Sequence, residues 1–351
     1  MSAIDIIDKN FAAPPVETEG LRAWDVRRAP FSLHGLYRPE SGPFRRMPQE
    51  VADRVNGGVS ILCRRTAGGR IRFKTDATRF VIRYTVPSIE TTRHMPFAAT
   101  ACFDLYANGQ HFHVFFPEEP RVTENGIVLT AMMDIPLLGM KDILIHFPLY
   151  NEVHEVTLLL PENAAVLPPD PYTYPLPVVF YGSSITQGAC ASHGGTGYPA
   201  QLARRLDTDF LNLGFAGNCR AEEAMAEYLI TLPMSVLVMD YDHNAPDVPF
   251  LSATHEAFYK RIRAARPDLP IIFATASDYT IPEERDARRA VIFRTYENAC
   301  AAGDRLVRIV DGKQTYRTVG EDSCRVDHTH PNDLGMWCLA NAFEPLLREF
   351  L

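Results

Sequence analysis

The sequence carries no excess of positive charge that could bind nucleic acid or an anionic membrane. Its 35 lysines and arginines are outnumbered by 43 aspartates and glutamates, which gives a formal net charge of -8. It also lacks any run near the roughly 20 apolar residues of a membrane span, and it has no basic segment leading into an apolar core at its start. These absences predict a cytoplasmic protein that acts on a small or neutral molecule, with neither nucleic acid nor membrane as a partner.

Paired cysteines are also missing. The seven cysteines are odd in number and form no CxxC pair, so neither a disulfide framework nor a zinc knuckle is indicated. We expect most of them to be small hydrophobic residues of the core. The sequence predicts no metal ion and no organic cofactor.

The pattern of apolar and polar residues changes along the chain. Up to residue 166, short apolar runs such as RIRFK and TRFVIRY alternate with polar residues and end at Gly, Pro or Asn. This alternation predicts the antiparallel strands of a β-sandwich domain over residues 1–166. Within it, His111 and His113 are expected on one face of a strand, and we interpret that face as solvated or packed rather than as a metal pair.

Arginine doublets in the same part of the chain could suggest anion binding. In an acidic chain we expect their side chains to be solvated or ion-paired instead. The doublets are Arg27 with Arg28, Arg45 with Arg46, and Arg64 with Arg65.

A proline-rich segment, LPPDPYTYPLP at residues 167–177, predicts an extended connector between two domains. Beyond it, over residues 178–351, five apolar segments alternate with amphipathic ones. This order predicts a three-layer α/β/α domain, flavodoxin-like, with a five-stranded parallel sheet. A functional site is then expected at the carboxyl ends of the strands.

The first of these strands runs into GSSIT at residues 182–186, which places hydroxyl groups at such a carboxyl end. Ser184 could be a nucleophile, with its own N–H among the backbone donors, but taken alone the segment is more typical of Ser183 or Ser184 capping a helix. The pattern is not the G-x-S-x-G turn of α/β-hydrolases, because Thr186 stands in place of the second glycine.

A second polar segment, DHTHPNDLG at residues 327–335, precedes the last helix. Asp327 and His330 have the identities of the carboxylate and imidazole that a nucleophilic serine requires. A polar loop, or a metal site that also includes His328, is compatible with the same residues.

Two further strand ends offer hydrogen-bond donors. Gly217 in GFAGN could present its backbone N–H, and Asn244 in DYDHN could present its side-chain amide, to an oxyanion that develops near Ser184. Taken singly, each is also an ordinary turn residue.

Together these four segments, in this order over about residues 176–351, resemble the SGNH hydrolases, also called the GDSL esterase and lipase family. The resemblance implies Ser184, Asp327 and His330 as the catalytic triad, and Ser184, Gly217 and Asn244 as the oxyanion hole. Ser183 occupies the place of the aspartate in the GDSL motif, so one charge near the nucleophile is absent.

The upstream region is similar to the jelly-roll-like β-sandwich domain that precedes the hydrolase domain in one branch of this family and carries a GxDLY signature. In CFDLY, Asp104, Leu105 and Tyr106 match that signature, and Cys102 replaces its glycine.

The resemblance implies a serine esterase that hydrolyses a short acyl ester, with carbohydrate O-acetyl groups as substrates. A segment that could form a long apolar lid for lipid chains is not evident. An acyltransferase with the same nucleophile and a non-catalytic carbohydrate-binding protein are the alternatives. Acyl length, the alcohol and the oligomeric state are left open.

Overall fold

The computed structural model describes residues 3–8 and 13–351. The strands of the amino-terminal part are β1 (Leu21–Asp25), β2 (Ser32–His34), β3 (Arg70–Thr75), β4 (Arg79–Val86), β5 (Asp104–Ala107), β6 (Gln110–Val114), β7 (Arg121–Thr123), β8 (Gly126–Asp134), β9 (Lys141–His146), β10 (Glu155–Pro161) and β11 (Val166–Leu167). Four short helices lie among them, which the strand pattern did not predict: α1 (Ala3–Ile7), α2 (Gln49–Val55), α3 (Gly57–Leu62) and α4 (Phe97–Thr100).

These strands form two antiparallel sheets. One has the order β1-β10-β4-β8-β7; the other has the order β11-β3-β9-β5-β6, and β2 also pairs with β3. Alternation selects the buried face: in β9, Ile143 and Ile145 are buried, whereas Asp142 is exposed and Leu144 is half-buried. Inward-facing residues of both sheets join one hydrophobic cluster. The predicted antiparallel sandwich is therefore confirmed.

The carboxyl-terminal part contains one parallel sheet with the order β13-β12-β14-β15-β16. Its strands are β12 (Tyr174–Gly182), β13 (Thr208–Gly214), β14 (Val236–Asp240), β15 (Ile271–Ala274) and β16 (Val307–Val310). Its helices are α5 (Ser184–Gln187), α6 (Tyr198–Leu206), α7 (Glu223–Thr231), α8 (Val248–Ala265), α9 (Pro282–Ala301), α10 (Gly312–Thr315), α11 (Glu321–Cys324) and α12 (Asp333–Phe350), with 3-10 helices at Gly194–Thr196 and Asp242–Asn244.

Helices cover both faces of this sheet. In the interior strand β12, Val178 and Phe180 pack in one cluster with residues of α6 and α12. Val179 and Tyr181 pack in the other with residues of α7, α8 and α9. Consecutive residues of one strand thus enter opposite cores, which explains why parallel strands are apolar throughout. The predicted five-stranded, three-layer α/β/α fold is confirmed.

The proline-rich segment overlaps two strands. β11 ends at Leu167 and β12 begins at Tyr174, and the pairing of β12 with β13 shifts register between Tyr174 and Val178. Prolines lack the N–H that a continuous ladder needs. The boundaries of the two domains at this segment stay a prediction.

Arg46 joins the two parts of the chain. Its side chain is 0% exposed and donates hydrogen bonds to the carbonyl oxygens of Asn212 (3.1 Å) and Gly214 (2.5 Å) in β13. It also donates to the carbonyl oxygens of Leu62 (2.7 Å) and Arg65 (2.8 Å). The expectation that this arginine is solvated or ion-paired is wrong, because β13 is an edge strand whose outward carbonyls require a donor.

No helix among residues 3–8 and 13–351 is long and apolar enough to cross a membrane.

Candidate active site

The candidate nucleophile stands where β12 turns into α5. Ser183 is the N-cap of α5: its hydroxyl accepts a hydrogen bond from the Ile185 amide (3.2 Å). The Thr186 hydroxyl in return accepts one from the Ser183 amide (3.2 Å). Ser183 therefore performs the capping, and the hydroxyl of Ser184, the first residue of α5, is left for another role. Ser183 is fully buried, whereas Ser184 is partly exposed.

Glycine is required immediately before this turn. A Cβ atom at Gly182 would lie 2.0 Å from Oγ1 of Thr186 and 2.6 Å from the carbonyl oxygen of Asp240. The absence of a side chain thus permits β12, β14 and the capped turn to meet at one edge of the sheet.

Ser184, His330 and Asp327 form a continuous hydrogen-bonded chain. Oγ of Ser184 lies 2.9 Å from Nε2 of His330, and Nδ1 of the same ring lies 2.8 Å from Oδ2 of Asp327. Since the carboxylate can only accept, Nδ1 carries the proton and Nε2 is left to accept from the serine hydroxyl. The structure therefore brings together the three residues predicted as a triad.

The loop between α11 and α12 holds the carboxylate and the imidazole in place. The amide of Val326 donates to the carbonyl oxygen of His330 (2.9 Å) and closes the loop. The amides of Thr329 (2.8 Å) and His330 (2.7 Å) both donate to Oδ1 of Asp327. Partial burial acts to raise the pKa of Asp327, but the hydrogen bonds from His330 and Thr329 outweigh it and lower that pKa to about 2.

The predicted oxyanion donors lie next to each other. Gly217, with φ of +67°, donates its amide hydrogen to Oδ1 of Asn244 (3.0 Å), and Nδ2 of Asn244 donates to the carbonyl oxygen of Phe215 (3.1 Å). The Gly217 amide is thus bonded to Asn244 in this structure. The second hydrogen of the Asn244 amide and the amide of Ser184, at the start of α5, are the donors that these bonds leave for a substrate.

Asp240, a residue that sequence analysis did not single out, lies behind the nucleophile. Its Oδ2 accepts hydrogen bonds from the hydroxyls of Thr186 (2.9 Å) and Tyr198 (2.8 Å), and its carbonyl oxygen accepts from the Ser183 amide (3.2 Å). Burial raises the pKa of this carboxyl group. An acidic residue is thus present beside the turn although Ser183 replaces the aspartate of the GDSL motif. The sequence offers one signal for a role of Asp240: it ends the apolar run SVLVMD and so lies at the carboxyl end of a predicted strand.

The amino-terminal part also reaches the triad. The ring centroid of His94 lies 5.4 Å from that of His330, and the carbonyl oxygen of His94 accepts a weak hydrogen bond from Sγ of Cys190 (3.4 Å). Ligand-capable atoms of His94, Cys190, Asp327 and His330 lie within 4.8 Å of one another. His328, the third residue of the metal alternative, is not part of this group. No sequence pattern links His94 to His330, which lies more than 200 positions further along the chain.

Comparisons with known proteins agree with this architecture. A family model described as the GDSL-like lipase/acylhydrolase family matches residues 176–348, and the GxDLY model, described as the amino terminus of SGNH-hydrolase-type esterases, matches residues 21–166. No curated protein matches the sequence.

Solved structures share the fold over nearly the whole chain. A protein described as a GDSL-like lipase from Bacteroides ovatus is 24% identical, with a TM-score of 0.83 over 94% of this chain and 98% of its own. A salicylyl-acyltransferase, SsfX3, from a tetracycline biosynthetic pathway is 18% identical, with a TM-score of 0.75 over 95% and 98%. An acetyl xylan esterase from Butyrivibrio proteoclasticus is 12% identical, with a TM-score of 0.60 over 94% and 98%.

Proposed function

Because the chain belongs to the GDSL-like lipase/acylhydrolase family, in its branch with an amino-terminal GxDLY domain, we propose that it is a serine esterase that removes short acyl groups from a carbohydrate. One observation carries the proposal: the hydrogen-bonded chain from Ser184 through His330 to Asp327. The substrate is proposed from the family resemblance and from the fold shared with an acetyl xylan esterase.

In the first half of the proposed reaction, Oγ of Ser184 attacks the ester carbonyl carbon while Nε2 of His330 takes its proton. Asp327 stabilises the imidazolium that forms, because it is ionised and bonded to Nδ1. The carbonyl oxygen becomes an oxyanion that accepts from the amide of Ser184 and from Nδ2 of Asn244. The Gly217 amide becomes a third donor to the oxyanion when its hydrogen bond to Oδ1 of Asn244 is broken. His330 then protonates the leaving alcohol.

In the second half, water attacks the acyl-Ser184 ester and gives its proton to Nε2 of His330. The tetrahedral intermediate collapses, the acid leaves, and Ser184 recovers its proton. Solvent can enter from the triad side, since the side chains of His330 and Asp327 are 21% and 38% exposed. An open site lets bulk water reach the acyl-enzyme, as the proposed hydrolysis requires.

The seven cysteines are all free thiols, which is typical of a reducing compartment. The proposal therefore keeps the cytoplasmic location predicted from the sequence.

A fluorophosphonate probe tests the nucleophile directly. We expect stoichiometric labelling of the native protein, no labelling of Ser184→Ala, and full labelling of Ser183→Ala, the matched neighbouring hydroxyl. Folded native protein that takes up no probe would instead indicate a carbohydrate-binding protein without catalytic activity.

Product analysis then tests the reaction and its substrate. Acetylated sugars and nitrophenyl esters of increasing acyl length are incubated with and without added alcohols. Release of free acetate at a rate that alcohols do not change supports an esterase. Formation of a new ester at the expense of acetate would identify an acyltransferase.

A further inference from the structure

A second cluster of ionisable side chains lies away from the triad, where the β-sandwich meets the hydrolase part. It consists of Asp104 on β5, His111 on β6, and His193, which directly precedes the 3-10 helix Gly194–Thr196. One ligand-capable atom from each of these side chains lies within 4.8 Å of the other two. We call these three residues the junction cluster.

The two buried members of the junction cluster lie in direct contact. Oδ2 of Asp104 and Nδ1 of His193 are 3.1 Å apart, and Asp104 is 0% and His193 8% exposed. Neither atom has a hydrogen-bond partner among the described residues. Buried polar atoms are rarely left without a partner. A carboxylate oxygen and an imidazole nitrogen this close form an ion pair when the ring is protonated, and when Nδ1 carries a lone pair they can bind a third atom together.

The remaining carboxylate oxygen of Asp104 is fixed. Oδ1 accepts a hydrogen bond from the backbone amide of Gly195 (3.2 Å), which orients the carboxylate and leaves Oδ2 facing the cluster. The nearby guanidinium of Arg204 is directed elsewhere: it lies 4.1 Å from the Tyr106 ring centroid, and its Nη1 is 3.4 Å from Nε2 of His146. Arg204 therefore does not form an ion pair with the free oxygen.

His111 reaches the cluster because of an irregularity in the β5–β6 hairpin. The register shifts so that Leu105 pairs with His113 and Tyr106 with His111. Since neighbouring residues on β5 point to opposite faces, the bulge separates the two histidines, and the expectation that they share one face is wrong. The His111 ring stacks on that of His193, with centroids 4.2 Å apart and planes at 12°.

We propose that Asp104, His111 and His193 bind a divalent transition-metal ion, with Zn²⁺ as the expected ion. One carboxylate and two imidazoles are common zinc ligands, and water would complete the coordination. Ligand atoms of a tetrahedral zinc site are roughly 3.4 Å apart, so the cluster must contract slightly. His111 is exposed and can move, while Asp104 and His193 are held by their surroundings.

Such an ion would cross-link the two parts of the chain rather than take part in ester hydrolysis. Asp104 and His111 belong to the sandwich, and His193 belongs to the segment that follows α5. The amide of Ser192, its neighbour, donates to Oδ1 of Asp333 at the start of α12 (2.8 Å). The ion would therefore stabilise the segment between α5, which begins with Ser184, and α6. Through Ser192, this segment is also bonded to α12, the helix that follows His330. The inference does not depend on the proposed esterase activity.

Zinc titration of chelator-treated, folded protein tests this inference by calorimetry. We expect one tightly bound Zn²⁺ per chain, a rise of several degrees in melting temperature, and at least a tenfold weaker affinity in His111→Ala. This variant is decisive because His111 is exposed, so its removal should leave the fold intact. His193→Ala should behave in the same way. The matched control His113→Ala, two positions further along the same strand, should bind Zn²⁺ like the native protein.

The group of His94, Cys190, Asp327 and His330 is the competing site, and His94→Ala distinguishes it. Binding that is lost in His94→Ala but unchanged in His111→Ala would overturn the proposal, as would folded native protein that binds no Zn²⁺ at micromolar concentrations. Zinc bound only at the junction cluster should leave fluorophosphonate labelling of Ser184 unchanged.

Discussion

The hydroxyl of Ser184 lies 2.9 Å from Nε2 of His330, although 146 positions separate the two residues in the sequence. The serine is fixed by the capped turn after β12, and the histidine by a closed loop that also holds its carboxylate. The contact thus exists in the protein without a substrate, so the proton acceptor is already in place when an ester enters.

Removal of the nucleophile should abolish turnover without loss of stability. We expect Ser184→Ala to lower kcat on nitrophenyl acetate by roughly four orders of magnitude or more, because no other group replaces the attacking oxygen. Ser183→Ala removes only an N-cap and should destabilise the turn by about 1 kcal/mol while retaining most of the activity. Equal activity of Ser184→Ala and native protein would exclude the proposed mechanism.

The pH profile should show a single acid limb. A protonated His330 cannot accept the serine proton, so kcat/KM should fall as the pH is lowered. Asp327 does not contribute to this limb, since its pKa of about 2 keeps it ionised throughout the measurable range. Initial rates from pH 4 to 9 test this; a flat profile would contradict the role of His330.

Asp327→Asn tests how the imidazole is oriented. The amide can still accept hydrogen bonds through its oxygen, but it no longer provides the charge that stabilises an imidazolium at His330. We expect kcat to fall by orders of magnitude and unfolding to change little. Asp322→Asn, an exposed carboxylate nearby in α11, is the matched control and should leave kcat unchanged.

Two variants of Asn244 separate its donor from its acceptor. Asn244→Ala should lower kcat by about 10²- to 10³-fold through loss of an oxyanion donor. Asn244→Asp keeps an oxygen for the Gly217 amide but has no Nδ2 to donate, so its kcat should fall at least as far. If Asn244→Asp retained native activity, Asn244 would act only by holding the Gly217 loop.

Arg46 should be a major contributor to stability. Arg46→Met leaves the buried carbonyls of Asn212 and Gly214 without their donor, and we expect the free energy of unfolding to fall by about 3 kcal/mol or more. Arg45→Met, its partly exposed neighbour, should change it by less than about 0.5 kcal/mol. Urea denaturation of both variants measures the difference; equal midpoints would show that Arg46 is dispensable.

The parts of the structure that the sequence could predict are those encoded locally. Alternation of period two marks the sandwich strands, and fully apolar runs mark the parallel ones, because each pattern reflects which faces of a strand are buried. Ser184 and the Asp327–His330 pair lie in short segments whose residue types suit one chemistry. Even there, the sequence could not distinguish which serine caps the helix.

Contacts between the two parts of the chain could not be predicted in this way. Arg45 and Arg46 are adjacent and chemically identical, yet only Arg46 faces the edge of β13, and no local pattern encodes that. His94 and His193 acquire neighbours only when distant segments pack. The bulge that separates His111 from His113 inserts one residue into a strand whose alternation looks regular.

The Arg46 contact has a consequence for the independence of the two parts. The chain from residue 176 onward, taken alone, would have no donor from the sandwich at the outer edge of β13, so the carbonyls of Asn212 and Gly214 would bond to water instead. This newly exposed edge would lie directly before the Gly217 loop. Separation from the sandwich is therefore expected to loosen the part of the sheet from which that loop extends.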